Sequence, residues 1–273
     1  MATLLFSCGK DDEEIISPEL TPDFVEPEQP MVVSPYFNET LLLICHRGLE
    51  AYPENTFVAV NAAVESGFKA VECDICMTKD SVFVLQHDPT IDRCSDGSGR
   101  VNSMTYNDLL PFDFGSWKGA QFEGERIARL DNLLDYFKQK ELIIELDLAD
   151  ETRFKREWIP VLYDLVKAKG MLGQTMFTAT QDELESFLNE PRDIIISVSG
   201  VYHFSDAQRA MALKDKVTLC NFSVPKDYLT RQISDFAHEN GVKVKSWTTT
   251  SQTETDRCLE LGADYIITEV PLQ

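Results

Sequence analysis

The feature that most constrains the fold is an alternation that begins at Leu41 and runs to the end of the chain. Short apolar runs give way repeatedly to stretches with helical periodicity. That pattern argues for an α/β fold with a parallel sheet. Eight runs read as strands, at 41–46, 70–76, 142–148, 175–178, 193–198, 217–222, 242–247 and 263–268. Helices are predicted over 55–66, 130–139, 152–169, 181–188, 205–214, 229–239 and 253–261. In the first of these Phe57, Val60, Ala63 and Val64 share a face; in the second Leu130, Leu133, Leu134 and Phe137 do. Several end at glycine (Gly67, Gly170, Gly241, Gly262), the usual helix stop. Eight β/α units in roughly 230 residues predict a (β/α)8 TIM barrel over 37–273. One connection, 78–129, is far longer than the others and makes an insertion after the second strand. It holds a predicted hairpin at 81–87 and a Gly/Ser-rich loop at 95–100. Connections that long are usually functional.

Residues 1–36 have a different character. Leu4-Leu5-Phe6-Ser7-Cys8 is similar to the end of a bacterial lipoprotein signal, which predicts a lipid anchor at Cys8. Asp11, Asp12, Glu13 and Glu14 follow, then a Pro-rich acidic stretch to Tyr36 that reads as a solvated tether. The expected location is a bacterial outer membrane, periplasm or cell surface. No apolar run approaches the ~20 residues of a membrane span, so membrane contact is expected through the anchor alone. The net charge of −21 repels phosphate backbones and makes nucleic acid a poor partner. A phosphate-bearing substrate would need that field reversed locally, and a divalent cation held by carboxylates would do so. The seven cysteines do not read as a disulfide framework. Cys73 and Cys76, on a strand, face opposite sides and read as core packing rather than a metal or redox pair.

Several residues invite a chemical reading. His46 and Arg47 end the first strand, at the face where barrel enzymes carry their active sites. Glu72 and Asp74 alternate on the second strand and so share a side; Glu145 and Asp147 repeat the arrangement on the third. Inward carboxylates on neighbouring strands would be costly without a partner and would converge on one cation. Mg2+ or Ca2+ suits oxygen ligands, and the residues do not choose between them. His87, followed by Asp88, lies on the insertion where it could reach over the mouth, and two imidazoles make a natural acid/base pair near neutral pH. His203 and His238 are weaker candidates.

The order and spacing of His46-Arg47-Gly48, Pro53-Glu54-Asn55-Thr56, Glu72-x-Asp74, Thr78-Lys79-Asp80, His87-Asp88 and Asp92-Arg93 resemble the glycerophosphodiester phosphodiesterase family. Gly97-x-Gly99, the Glu145 strand, Trp247-Thr248, and Gly262-Ala263-Asp264 through Thr268-Glu269-x-Pro271 extend the resemblance over 41–271. It implies a barrel with an insertion after the second strand, one divalent metal, and hydrolysis of a glycerophosphodiester to an alcohol and sn-glycerol 3-phosphate or a related phosphomonoester. Carried over by position, His46 and His87 resemble the general base and acid, and Glu72, Asp74 and Glu145 the metal ligands. Arg47 resembles the phosphate clamp and Trp247 an aromatic wall of the substrate pocket.

Two positions depart from the pattern. The family usually has Lys two residues after the third ligand; here it is Asp147. A carboxylate there is expected to contact substrate, and we read it as an acceptor for polyol hydroxyls. The usual Asp near the end of the eighth strand is Glu269. Two other functions fit parts of the sequence. One is a phospholipase- or sphingomyelinase-like barrel, for which the apolar cluster of Phe112, Phe114 and Trp117 would speak. The other is a non-catalytic surface binding protein.

Overall fold

The computed structural model describes residues 31–150, 154–185 and 187–270. The elements follow the expected alternation. They are β1 (Leu42–His46), α1 (Phe57–Glu65), β2 (Ala70–Met77), β3 (Phe83–Leu85), α2 (Tyr106–Leu109), α3 (Leu130–Lys140), β4 (Ile143–Asp147), α4 (Ile159–Ala168), β5 (Thr175–Thr180), α5 (Gln181–Glu185), β6 (Arg192–Ser199), α6 (Phe204–Ala210), β7 (Val217–Pro225), α7 (Arg231–Glu239), β8 (Lys243–Thr249), α8 (Gln252–Glu260) and β9 (Tyr265–Thr268).

The sheet runs β1-β9-β8-β7-β6-β5-β4-β2 with every neighbour parallel, and β1 pairs with β2 to close it. This is the predicted (β/α)8 barrel, whose closure leaves no exposed sheet edge. β3, from the long insertion, adds antiparallel to the far end of β2 through Ile75↔Leu85, Cys76↔Val84 and Met77↔Phe83. The hairpin predicted within 81–87 is instead a single strand of that stretch folded back on β2.

The strands divide their side chains with period two. Val71, Cys73 and Ile75 of β2 join Ile144, Leu146, Phe177, Ile196, Phe222 and Val244 in the shell between barrel and helices. Ala70 instead joins Ile44, Ile143, Met176, Ile195, Tyr265 and Ile267 in a second cluster inside the barrel. Glu72 and Asp74 share the face of Ala70, and Glu145 and Asp147 that of Ile143. All four therefore continue the interior face upward from an apolar floor. The six described cysteines are free and buried. Burial pushes the thiols of Cys45, Cys94 and Cys220 up to about 12, so they act as small core side chains. Cys73 packs in the shell and Cys76 in the insertion's own core, as strand alternation predicts.

The boundary of the N-terminal tether differs from expectation. Residues 1–30, Cys8 among them, lie outside the described residues. Met31–Tyr36, assigned to the tether from composition, instead pack on the barrel: Met31, Val33 and Tyr36 contact its core clusters. Ser34 donates its amide to Gly173 O (2.8 Å). The following Phe37 is fully buried, and the Tyr265 hydroxyl donates to its carbonyl (2.7 Å). The acidic prolines hid a short apolar plug. Among the described residues no helix is long and apolar enough to cross a membrane.

Candidate active site

The site is built at the C-terminal ends of the strands. Strand register puts Glu72 beside both His46 and Glu145, and Asp74 beside Asp147. Four carboxylates thus occupy two adjacent rungs of one wall.

The turn after β1 explains why His46-Arg47-Gly48 is the sequence used. Arg47 (φ 55) and Gly48 (φ 84) are both left-handed. A Cβ on Gly48 would lie 2.5 Å from the Ala59 carbonyl carbon, so the turn packs against α1 only with glycine there. The reversal aims Arg47 back over the wall: its Nε lies 2.9 Å from Asp74 Oδ2, and its Nη1 donates to Glu54 Oε1 (3.2 Å). Asn55 grips Asp74 twice, donating from Nδ2 to Oδ2 (2.7 Å) and accepting the Asp74 amide at Oδ1 (3.1 Å). The Pro53-Glu54-Asn55-Thr56 block is thus scaffolding for Arg47 and Asp74, with Thr56 also capping α1 by accepting the Ala59 amide.

Both histidines carry a carboxylate on Nδ1. His46 Nδ1 lies 3.0 Å from Glu269 Oε1 on the residue after β9. His87 Nδ1 lies 2.7 Å from Asp88 Oδ1. Asp88 is gripped by Arg93 Nε (2.7 Å), and Arg93 also forks onto both oxygens of Glu54 (2.8 Å each). The hydrogen bond from Arg93, helped by His87, holds the Asp88 carboxyl down at about 2. The bond from His46 likewise lowers Glu269. A carboxylate held at Nδ1 fixes the orientation of each ring.

Glu72 is fully buried, and burial, reinforced by the charge of Asp74, pushes its carboxyl well above the usual range. Glu145, with no exposure, has a partner that the sequence reading missed. Lys245 on β8, also wholly buried, forms an ion pair with Glu145 Oε1 and donates to Thr178 Oγ1 (3.0 Å). Thr178 in turn donates to the same Glu145 oxygen (2.6 Å). The other oxygen, Glu145 Oε2, is buried without a hydrogen-bond partner.

These groups face a cavity of about 470 Å3. His46, Arg47, Glu72, His87, Glu145, Asp147 and Trp247 line it, together with Lys245, Thr178, Ser199 and Tyr202. Seven of the eight residues singled out from sequence meet there. The eighth, Asp74, stands among the carboxylates: one oxygen each from Glu72, Asp74 and Asp147 lie within 4.8 Å of one another. A hard divalent cation suits this set, for three clustered oxygens and an orphaned fourth are what such an ion takes up. Ser199 Oγ and Trp247 Nε1 are buried without partners on the same cavity, so a polar ligand has hydrogen bonds to gain there. Phe112 and Phe114, weighed as lipid-facing residues, pack with Leu109, Val101 and Ile127 in the insertion's own core.

With this geometry in view, residues 46–273 match the model of the glycerophosphoryl diester phosphodiesterase family. The chain belongs to this family of phosphodiesterases. The Bacillus subtilis protein YhdW is 29% identical over 235 residues, covering 85% of this chain and 95% of that protein. A glycerophosphodiester phosphodiesterase of Caldanaerobacter subterraneus is 28% identical over 249 residues, 84% of this chain and 94% of its own. Among solved structures, an Oleispira antarctica phosphodiesterase in complex with the product sn-glycerol-3-phosphate superposes with a TM-score of 0.74 at 21% identity. The match covers 86% of this chain and 96% of that one. That likeness establishes the barrel. Within the phosphodiesterase family pattern, the unusual Asp147 is now seen together with a buried lysine on a different strand. The signal for Lys245 was present in the sequence: it lies two residues before Trp247, hence on the same interior face of β8.

Proposed function

We propose that this phosphodiesterase hydrolyses glycerophosphodiesters to an alcohol and sn-glycerol 3-phosphate, with His46 and His87 as the acid/base pair and a divalent cation, Mg2+ or Ca2+, at the carboxylates. The observation that carries the reading is that two imidazoles, each held by a carboxylate at Nδ1, face one cavity with a buried carboxylate wall and Arg47. The relatives named for this activity, and the Oleispira protein solved with its product, support it.

Arg47, fixed by Glu54 and Asp74, offers its remaining guanidinium donors to a phosphoryl oxygen. Of the two histidines, one takes the proton from the attacking oxygen and the other returns a proton to the leaving alkoxide; the attacking oxygen is water, or the glycerol 2-hydroxyl, in which case water then opens the cyclic phosphate. Trp247 and Ser199 supply donors for substrate oxygens along the opposite wall. Glu72, Asp74, Asp147 and Glu145 are the groups able to hold the cation, which would neutralise the phosphodiester and act as a Lewis acid. Without it, a substrate anion would meet four carboxylates against Arg47 and Lys245.

The test is a panel of glycerophosphodiesters with varied head groups, assayed with and without EDTA and with Glu72→Ala. Activity lost in EDTA, restored by excess Mg2+ or Ca2+, and abolished in Glu72→Ala supports the reading. Full turnover in EDTA or in Glu72→Ala refutes it. Phe112 and Phe114 pack into the insertion, which leaves Trp117 as the one exposed aromatic of that cluster in favour of a lipid-directed reading.

A further inference from the structure

We infer that Glu54 and Arg93 are positioning residues that hold the Arg47 clamp and the His87 imidazole at one spacing, so that both meet the same phosphoryl group. The inference rests on the reading above that Arg47 and His87 serve one phosphodiester.

The two groups come from separate parts of the chain. Arg47 sits in the turn after β1, and His87 lies two residues past β3 on the insertion. A line of alternating charge joins them. Arg47 Nη1 donates to Glu54 Oε1 (3.2 Å). The same oxygen accepts Arg93 Nη2 (2.8 Å), and Glu54 Oε2 accepts Arg93 Nη1 (2.8 Å). Arg93 Nε then donates to Asp88 Oδ2 (2.7 Å), with Nη2 also reaching Oδ1 (3.2 Å). Asp88 Oδ1 lies 2.7 Å from His87 Nδ1. Every link up to Asp88 joins opposite charges through a hydrogen bond, the stronger class of such bonds.

The residue types suit the task. Asp88 and Glu54 are spanned at once only by a planar fork with donors on two edges, which arginine has and lysine lacks. Glu54 in turn uses both oxygens, and Oε1 is the one atom that touches both arginines. Neither Glu54 nor Arg93 lines the cavity, so each acts through a neighbour that does. Other contacts hold the insertion to the loop after β1 without reaching His87. The Tyr52 ring packs on Phe122 with centroids 5.2 Å apart, and Lys118 pairs with Glu50 (3.1 Å). Cutting the Arg93 fork should therefore leave the insertion docked and release only the orientation of His87 against Arg47.

The test combines steady-state kinetics on a glycerophosphodiester, in excess Mg2+ or Ca2+, with a thermal melt of each full-length variant. Arg93→Lys should lower kcat by about 10–100-fold, part of the usual worth of an acid/base group, with KM within about twofold. Its Tm should stay within about 4 °C, because the pairs it breaks are partly exposed. Glu54→Gln loosens both ends, so KM should rise at least threefold, by an order-of-magnitude estimate, while kcat falls. The double variant should lose no more than about twofold in kcat beyond the worse single one, since the line is already cut. Unchanged kcat in Arg93→Lys overturns the inference, as do losses that multiply in the double variant. A kcat loss accounted for by unfolding at the assay temperature overturns it as well. The imidazole 15N signals give a readout without turnover: in Arg93→Lys those of His87 should move while those of His203 and His238 stay. If the unaltered protein hydrolyses no glycerophosphodiester, the reading under Proposed function fails, and the ring signals still decide whether Arg93 orients His87.

Discussion

His46 Nδ1 lies 3.0 Å from Oε1 of Glu269, a residue 223 positions later in the chain, across the β1–β9 seam of the barrel. Glu269 stands where the family usually has the shorter Asp, and the pairing shows that the longer side chain still reaches. On the reading proposed above, the contact fixes the tautomer and the direction of the imidazole and leaves Nε2 to accept a proton. Glu269→Gln should therefore lower kcat by roughly 10–100-fold with KM within about twofold, a smaller loss than the ~10²–10⁴-fold expected for His46→Ala. Steady-state kinetics beside a thermal melt is the check. Unchanged kcat in Glu269→Gln would reduce the contact to packing.

The second histidine hangs from an acid-sensitive clamp. Asp88 is held at about 2 by Arg93 and His87, well below its ordinary value near 3.9. A depressed carboxyl stabilises the fold fully above its unfolded value; protonation in the folded state removes that contribution as pH falls through the folded value. The clamp should thus be intact above about pH 4 and should fail between roughly pH 4 and 2. Asp88→Asn should lower Tm most above about pH 4, by a difference that shrinks toward pH 2, so its own fall in Tm over that window is flatter; kcat at neutral pH should drop through His87. A series of thermal melts from pH 2 to 7 on both proteins tests this; parallel curves would contradict it.

The buried pair at the barrel centre predicts a stability signature of its own. Lys245→Met leaves Glu145 charged and without its countercharge in a site of no exposure. Removal of one partner from such a pair typically costs about 3–5 kcal/mol. Adding Glu145→Gln to Lys245→Met should recover most of that loss, because a neutral amide needs only hydrogen bonds. Denaturant unfolding of the single and paired variants measures the recovery. A Lys245→Met protein as stable as the paired one would mean that the ion pair adds nothing to stability.

The barrel was legible because its determinants are local. Interior and exterior positions alternate with period two within each strand, and helix ends are marked by glycine at Gly67, Gly170, Gly241 and Gly262, each of which adopts positive φ. Boundaries failed where a local signal was misread. Among the described residues, the helix predicted over 152–169 starts at Ile159 after a 3-10 turn at Arg156–Trp158, and Pro160 suits that first turn. The helix at 205–214 breaks after Ala210 into a 3-10 stretch. The site was legible as far as motifs reach: His46, Glu72, Asp74, His87 and Glu145 sit on runs whose spacing survives in the sequence. Contacts between distant strands leave no such trace. Glu145–Lys245 spans 100 residues, and Arg93 reaches Glu54 across 39. The cation that the family pattern carries two residues after Glu145 is not there, since that position is Asp147. The charge of Lys245 stands on β8 instead, where alternation with Trp247 would have placed it inside the barrel.

The floor of the barrel yields the last prediction. Phe37 is fully buried among Leu42, Ile44, Tyr265 and Ile267, and its carbonyl accepts both the Tyr265 hydroxyl (2.7 Å) and the Lys243 ammonium (3.1 Å). Lys243 also donates to Glu39 O (2.7 Å), so β8 and β9 together clamp the turn that carries Phe37. The segment from Met31 onward therefore belongs to the folded body, although its composition matches the acidic stretch before it. Deletion of residues 1–30 should leave Tm and kcat of the remaining chain within error. Deletion of residues 1–38 opens the apolar floor to water. Phe37→Ala isolates the ring's share, expected at about 3–5 kcal/mol for an aromatic side chain removed from a packed core. Tyr265→Phe removes only the hydroxyl contact and should cost about 1 kcal/mol. Because this floor lies at the opposite end of the barrel from the carboxylate wall, kcat measured well below the melting temperature should stay close to that of the unaltered protein in Phe37→Ala. A large fall in kcat there, or a deletion of 1–38 that melts like the full chain, would show that the plug is not what closes the barrel.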